Sequence, residues 1–303
     1  MTDYLIIDAH VHTYPTAEIG LQAKQGDTRS DYCGTIDELL PIMEKGGISR
    51  AIMVNMTPVA DMKDAALASL PETLSEKERL EAEREIDLRL ISRLERRNLW
   101  TCQVAKENAR LIPFIGIDPV MSPEAMRNEI LDKVRNHGAR GIKLQGAAQR
   151  FYPYDLRLYL AYGTAVELGL PIIFHSGGRE PLSQFALPQH FAQVASTFPQ
   201  LTIVLAHVGL GYWDQAIALA KSCPSVNFDC SAAIGMSEAE GGLPDDGLVF
   251  VIREIGVERV MFGSDYHWFD PIQSIERLLR LDLRREEKRL ILGENAVRIY
   301  RIS

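Results

Sequence analysis

Asp8, His10 and His12 stand at alternate positions in the stretch LIIDAHVHTYP. On an extended strand, residues two apart face the same side and lie about 7 Å from one another. Both imidazoles can therefore reach one metal ion. Imidazole nitrogens and carboxylates suit Zn²⁺ or a similar divalent cation, and a catalytic site of this kind keeps one position open for water. Other residues able to join them are spread along the chain: Lys143, His175, His207, the adjacent Asp229 and Cys230, Asp265 and His267. Each sits at or just past the end of a short apolar run. His10, His12, His175 and Asp265 would together supply one ligand set, and Asp8, one step deeper on the same parity, would orient a ligand histidine through its ring N–H. Of Asp229 and Cys230, one must face inward, and the alternation leaves open which.

None of these residues meet unless a fold gathers them. The apolar runs are DYLIIDAH, SRAIMVNM, RLIPFIGID, ARGIKLQ, LPIIFHS, LTIVLAHV, SVNFDCS and RVMFGSD, separated by amphipathic stretches that end in glycine. That rhythm reads as βα units around a parallel sheet. Helix signals support it: Thr35 with Glu38 and Ser75 with Glu78 are capping boxes, and Ser122 followed by Pro123 opens a helix that Gly138 closes. The expectation is one (β/α)8 TIM barrel over residues 1–303. An open doubly wound sheet is the rival, but the first βα turn lacks the glycine pattern of a dinucleotide site. In a barrel the strand ends converge on one face, which places all of the residues above around one mouth.

Two segments exceed a minimal barrel. Thr13 to Gly34 precede the first helix, and a charged helical insertion occupies about residues 57–99 after strand two, with Ile86, Leu90 and Leu94 as its one apolar stripe. The insertion emerges on the catalytic face, as a lid or a subunit contact, and a homodimer through it is one expectation.

The net charge of −8 and the mixed sign of the charged runs leave no basic footprint for nucleic acid. No apolar stretch is long enough to span a membrane. Cys33, Cys102, Cys223 and Cys230 are scattered, which fits a reducing compartment. The expected setting is cytoplasmic and the expected partner a small-molecule substrate.

The motifs DAHVH, FHSG, AHVG, FGSDY and GENAVRIY, in that order, resemble the amidohydrolase superfamily, in its amidohydrolase-related branch, which holds hydrolases as well as aminocarboxymuconate-semialdehyde-decarboxylase-like enzymes. The resemblance implies that His10, His12, His175 and Asp265 are metal ligands. It makes His207 the residue that activates water or shuttles its proton, or that binds a second metal. Lys143 in GIKLQ would be the strand-four lysine that bridges two metals when carboxylated; otherwise it binds a substrate carboxylate. GENAVRIY would pack back on the barrel through Asn295 and Ala296.

The leading expectation is hydrolysis of an amide or lactone by a metal-activated water, with Asp265 or His207 moving the proton. The alternative is non-oxidative decarboxylation of an unsaturated acid at a mononuclear site, with His207 as proton donor. A metal-binding scaffold without catalysis is a third possibility. The cation is expected to be Zn²⁺, one ion or two, with Mn²⁺ as the other candidate. Arg179, Arg150 and Tyr152, on loops of the active face, are candidates to hold an anionic group. His267 faces either substrate or solvent, while His137 and His190 belong to helix ends. Asp265 has a competing reading as the cap of the next helix.

Overall fold

Every one of the eight apolar runs forms a strand in the computed structural model, which describes residues 3–302. They are β1 (Ile6–Val11), β2 (Ile48–Val54), β3 (Leu111–Gly116), β4 (Gly141–Leu144), β5 (Ile172–Phe174), β6 (Ile203–Leu205), β7 (Val226–Asp229) and β8 (Val260–Met261). All pair in parallel in sequence order. The sheet closes through three backbone bonds between β1 and the end of β8: Ala9 N–H to Phe262 O (2.9 Å), Asp265 N–H to His10 O (3.0 Å) and His12 N–H to Tyr266 O (2.6 Å). The chain is a (β/α)8 TIM barrel.

Alternation along the strands divides the apolar residues between two layers. Ile142, Leu144, Ile172, Phe174, Ile203, Leu205, Val226 and Phe228 pack outward on the helices. Ile52, Val54, Phe114, Ile173, Val204 and Met261 fill the interior. Phe114 lies over β4 where Gly141 leaves room; a Cβ there would come within 2.3 Å of its ring. The far end of the interior is stopped by the helix Asn295–Tyr300, whose Ala296, Ile299 and Tyr300 belong to the same apolar cluster. Asn295 anchors that helix by donating to the carbonyls of Val257 (2.8 Å) and Val260 (2.7 Å). The GENAVRIY segment is thus the barrel's plug.

Helix α1 (Ala17–Lys24) occupies the long segment after β1, and α2 (Ile36–Gly46) is the first crossover. Thr35 starts α2 without a side-chain cap, contrary to the capping box read there. Glu38 is used elsewhere: it accepts from the N–H groups of Cys33 and Gly34, each at 2.9 Å, and from the Tyr266 hydroxyl at 2.6 Å. Its carboxylate thereby ties the β1 loop to the loop after β8. Ser122 and Gly138 do bound the helix Pro123–His137, the glycine at φ 78°.

The segment after β2 forms α3 (Val59–Ala68) and α4 (Glu76–Glu107), whose Ser75–Glu78 capping box is complete. Ile86, Leu90 and Leu94 are its buried stripe. The helix continues past residue 99 and is itself the crossover to β3, packing on β3 and on the helix Pro123–His137. Among the described residues no helix is long and apolar enough to cross a membrane.

Candidate metal centre

At the C-terminal mouth His10 on β1 and His12 just past it meet residues at the ends of five other strands, β4 to β8. His10 Nε2 and His12 Nε2 lie 3.7 and 3.5 Å from Asp265 Oδ1. These three donors all lie within 4.8 Å of one another, as do donors of His10, His207 and Asp229. His175 joins through His207, its Nδ1 3.1 Å from His207 Nε2. Lys143, buried on β4, places Nζ 3.4 Å from His10 Nε2. His10, His12, Lys143, His175, His207 and Asp265 are therefore gathered in one place, His175 through its contact with His207.

The strand that carries the pair is not regular. Between Asp8 and Val11, β1 has one residue more than its partner β2, so a bulge interrupts the alternation. Ala9 belongs to the interior cluster and His10 next to it also turns inward. The bulge corrects the role read for Asp8. Its Oδ1 accepts the backbone N–H groups of His10 (3.1 Å) and Ser264 (2.9 Å) and touches no histidine ring. Burial pushes its carboxyl up to about 7, against the Ser264 bonds.

The ring-orienting carboxylate is Asp229. Its Oδ2 accepts from His10 Nδ1 at 2.9 Å, while Oδ1 accepts from the N–H groups of His207 (3.2 Å) and Ser231 (3.0 Å). Cys230 faces the outer layer. The sequence carried a signal for this: in VNFD, Val226 and Phe228 are the apolar, outward residues, leaving Asn227 and Asp229 to face in. Burial would raise the Asp229 carboxyl, but His10 and Ser231 hold it down at about 2. With its proton on Nδ1, His10 presents a bare Nε2.

His207 is fixed in a similar way. Nδ1 lies 3.1 Å from the Ser231 carbonyl, which only accepts, so the proton is on Nδ1 and the bare Nε2 is turned to the cluster, 3.1 Å from His175 Nδ1. Ser231 Oγ in turn donates to Asp229. Burial lowers the imidazoles of both His12 and His207 to about 4, against the pull of Asp265. It lowers Lys143 to about 8, against Asp229 and Asp265. The backbone at His207 (φ 65°), Val208 (φ 43°) and Asp265 (φ 61°) is left-handed, a conformation side chains adopt at a cost and chiefly at functional sites.

The donor set fits a divalent cation. Asp265 is buried, and its Oδ1 faces His10 Nε2 and His12 Nε2 at 3.7 and 3.5 Å, so a carboxylate and two imidazoles converge as cation ligands do. Burial pushes this carboxyl up, yet His12 and the other rings hold it well below the usual range. It does not cap the following helix. Asp270 does, accepting from Ile272 N (2.7 Å) and Gln273 N (3.1 Å).

Three expected rim residues are placed differently. Arg150 is engaged elsewhere: its guanidinium pairs with Asp61, at 2.8 Å, and with Asp64, both on α3. The Tyr152 ring packs on Tyr154, Phe185 and His190. His267 meets neither solvent nor an open site; it is buried with Nε2 donating to Gly20 O at 3.0 Å. Arg179 is exposed and touches only the Glu240 carbonyl, at 3.4 Å. Trp268 was not singled out from sequence, yet its ring meets the His12 ring edge-on at 4.9 Å.

Comparison with known proteins gives the following. The family model described as Amidohydrolase matches residues 7–302. No curated protein matches the sequence significantly. Among solved structures, an uncharacterized TIM-barrel protein from Bordetella bronchiseptica aligns with a TM-score of 0.74 at 17% identity, covering 97% of each chain. A 2,6-dihydroxybenzoate decarboxylase from Rhizobium aligns with a TM-score of 0.69 at 17% identity over 99% of each chain. A dihydroxybenzoic acid decarboxylase from Polaromonas, solved with bound manganese and the inhibitor 2-nitroresorcinol, aligns with a TM-score of 0.69 at 15% identity over 99% of this chain and 97% of its own. At these identities the likeness is one of fold.

Proposed function

The chain belongs to the amidohydrolase family, and from that premise we propose that it removes carbon dioxide, without oxidation, from a conjugated carboxylic acid. The observation that carries this reading is the Trp268 ring standing 4.9 Å from the His12 ring, half-exposed at the mouth. It forms an aromatic wall against the donor set, suited to a flat substrate. The decarboxylases of like architecture support the same reading. Hydrolysis of an amide or lactone, the leading expectation from sequence, has the weaker support.

His10, His12, His175 and Asp265 would hold the cation, zinc or manganese. Bound there, it supplies a positive charge that stabilises electron density developing on the substrate's oxygens. His207 keeps its Nδ1 proton on the Ser231 carbonyl, takes up a second proton at Nε2 from solvent, and passes that proton to the carbon whose bond to the carboxylate breaks as carbon dioxide leaves, returning to the neutral ring. Lys143 contributes positive charge beside His10. Carboxylated, it would instead serve the hydrolytic alternative. Arg179, with no carboxylate partner among the described residues, takes an anionic substituent at the rim.

The test is carbon dioxide release from hydroxybenzoates and unsaturated aliphatic acids by protein loaded with Zn²⁺ or Mn²⁺, run beside a panel of lactones and amides. Release of carbon dioxide from any acid of the first set supports the proposal. Lactone or amide cleavage with no carbon dioxide from the acids overturns it.

A further inference from the structure

The long crossover helix α4 grips the end of the strand that carries the histidine pair, and it does so at both sides of one residue. Arg97 donates from Nη2 to the carbonyl of Thr13, next in sequence to His12. One turn later on the same helix face, Thr101 Oγ1 accepts from Asn55 Nδ2 at 2.8 Å. Asn55 Oδ1 then accepts the Thr13 N–H at 3.0 Å. Both polar groups of the Thr13 backbone are thus fixed from α4, one directly and one through Asn55.

The Arg97 guanidinium is an unusual device for stability alone. Its carbon lies over the rings of Tyr14, at 4.8 Å, and Trp100, at 4.7 Å. No acidic side chain pairs with it among the described residues, and Nη1 is buried without a hydrogen-bond partner. A cation withdrawn from water in this way costs free energy unless stacking and its one hydrogen bond hold it. What it achieves geometrically is local: it clamps the Thr13 carbonyl and the Tyr14 ring, the two groups that follow His12. The Tyr14 ring continues to His267 at 4.9 Å, then to Trp268 at 4.4 Å, whose ring returns to His12.

We infer that Arg97 is a positioning residue for His12, holding its imidazole at the distance from Asp265 that a cation needs. The inference rests on the metal-centre reading of the site. Arg97 touches neither the donors nor any group proposed to react, so its effect passes through the Thr13 backbone. A purely structural role would lower unfolding stability and leave the affinity of the folded protein for metal unchanged.

The experiment is a direct titration of metal-free protein with Zn²⁺ and Mn²⁺, reading stoichiometry and Kd, on wild type, Arg97→Gln and Arg97→Lys, with circular dichroism as the control for folding. The expected result is an unchanged stoichiometry with Kd raised about 10-fold or more in Arg97→Gln, the order seen when groups that orient ligands are lost, and a smaller rise in Arg97→Lys, which keeps the charge and one donor but not the stacked plane. Wild-type Kd in a folded Arg97→Gln overturns the inference. Should that variant not fold, Arg97→Lys carries the test, and a Kd equal to wild type overturns it. Failure of the wild type to bind either cation would refute the metal centre itself, a different outcome.

Discussion

The imidazole of His10 on β1 is held from across the barrel by Asp229 at the end of β7, Nδ1–H to Oδ2 at 2.9 Å with both groups fully buried. This bond fixes which nitrogen faces the donor cluster. Asp229→Asn, which keeps an acceptor but loses the charge, is expected to weaken metal binding about 10- to 100-fold. Equilibrium titration of the metal-free variant measures it, and an unchanged Kd would show that the bond does not set the ring's ligand character.

His207 gives a contrasting outcome. Its Nδ1 is anchored on Ser231 and its Nε2 faces His175 at 3.1 Å; as the proposed proton donor rather than a ligand, its replacement in His207→Gln should still leave cation bound. Turnover should fall about 10²- to 10⁴-fold, the usual contribution of a positioned acid. Metal content per chain together with carbon dioxide release checks both halves; near-normal turnover would remove His207 from the proton transfer.

The same residue predicts a change in acid sensitivity. Burial lowers His207 to about 4 from an ordinary value of 6.5, so between those values the unfolded chain binds more protons than the folded one. Its contribution to stability is present above pH 6.5 and is lost as pH falls towards 4. Asp8, raised by burial to about 7 from an ordinary value of 3.8, acts in the opposite sense across the whole of that range. The clean measurement is therefore a difference: metal-free His207→Gln should lose less stability than metal-free wild type between pH 6.5 and pH 4.5, by up to about 3 kcal/mol. Equal losses in urea melts would contradict it.

Along α4, burial decides tolerance. Leu94 is 1% exposed and Leu88 58%. Leu94→Ala should cost about 2–5 kcal/mol and Leu88→Ala under about 0.5 kcal/mol. Denaturant midpoints of the two variants test this. If Leu88→Ala destabilises as strongly, that face of the helix is covered in solution, as a dimer would cover it.

Glu38 joins the two loops that flank the centre through three accepted bonds. Glu38→Ala leaves those donors unpartnered, and the expected loss is about 1–3 kcal/mol. A thermal melt checks it, and no loss would mean that water replaces the carboxylate without penalty.

The barrel was legible because parallel strands buried on both faces must be short apolar runs, and eight of them recur with helical stretches between. The pair at His10 and His12 was legible from its spacing. What escaped were relationships set by distant partners or by a break in regularity. A bulge is invisible in a sequence read with strict alternation, so Asp8 took the role that belongs to Asp229. Glu38 looked like a cap because the local pattern fits one, but its partners include a hydroxyl 228 residues away. Arg97 acts on a backbone carbonyl, which no residue type advertises. Arg150 looked free because the two acids that engage it lie on α3.

The plug formed by the helix Asn295–Tyr300 has a consequence for how the molecule is made. Tyr300 and Ala296 complete an interior whose walls are all upstream of them. During synthesis the nascent polypeptide can therefore display every strand while the cylinder is still open at its base. The base of the cylinder is thus closed only by residues that leave the ribosome after β8.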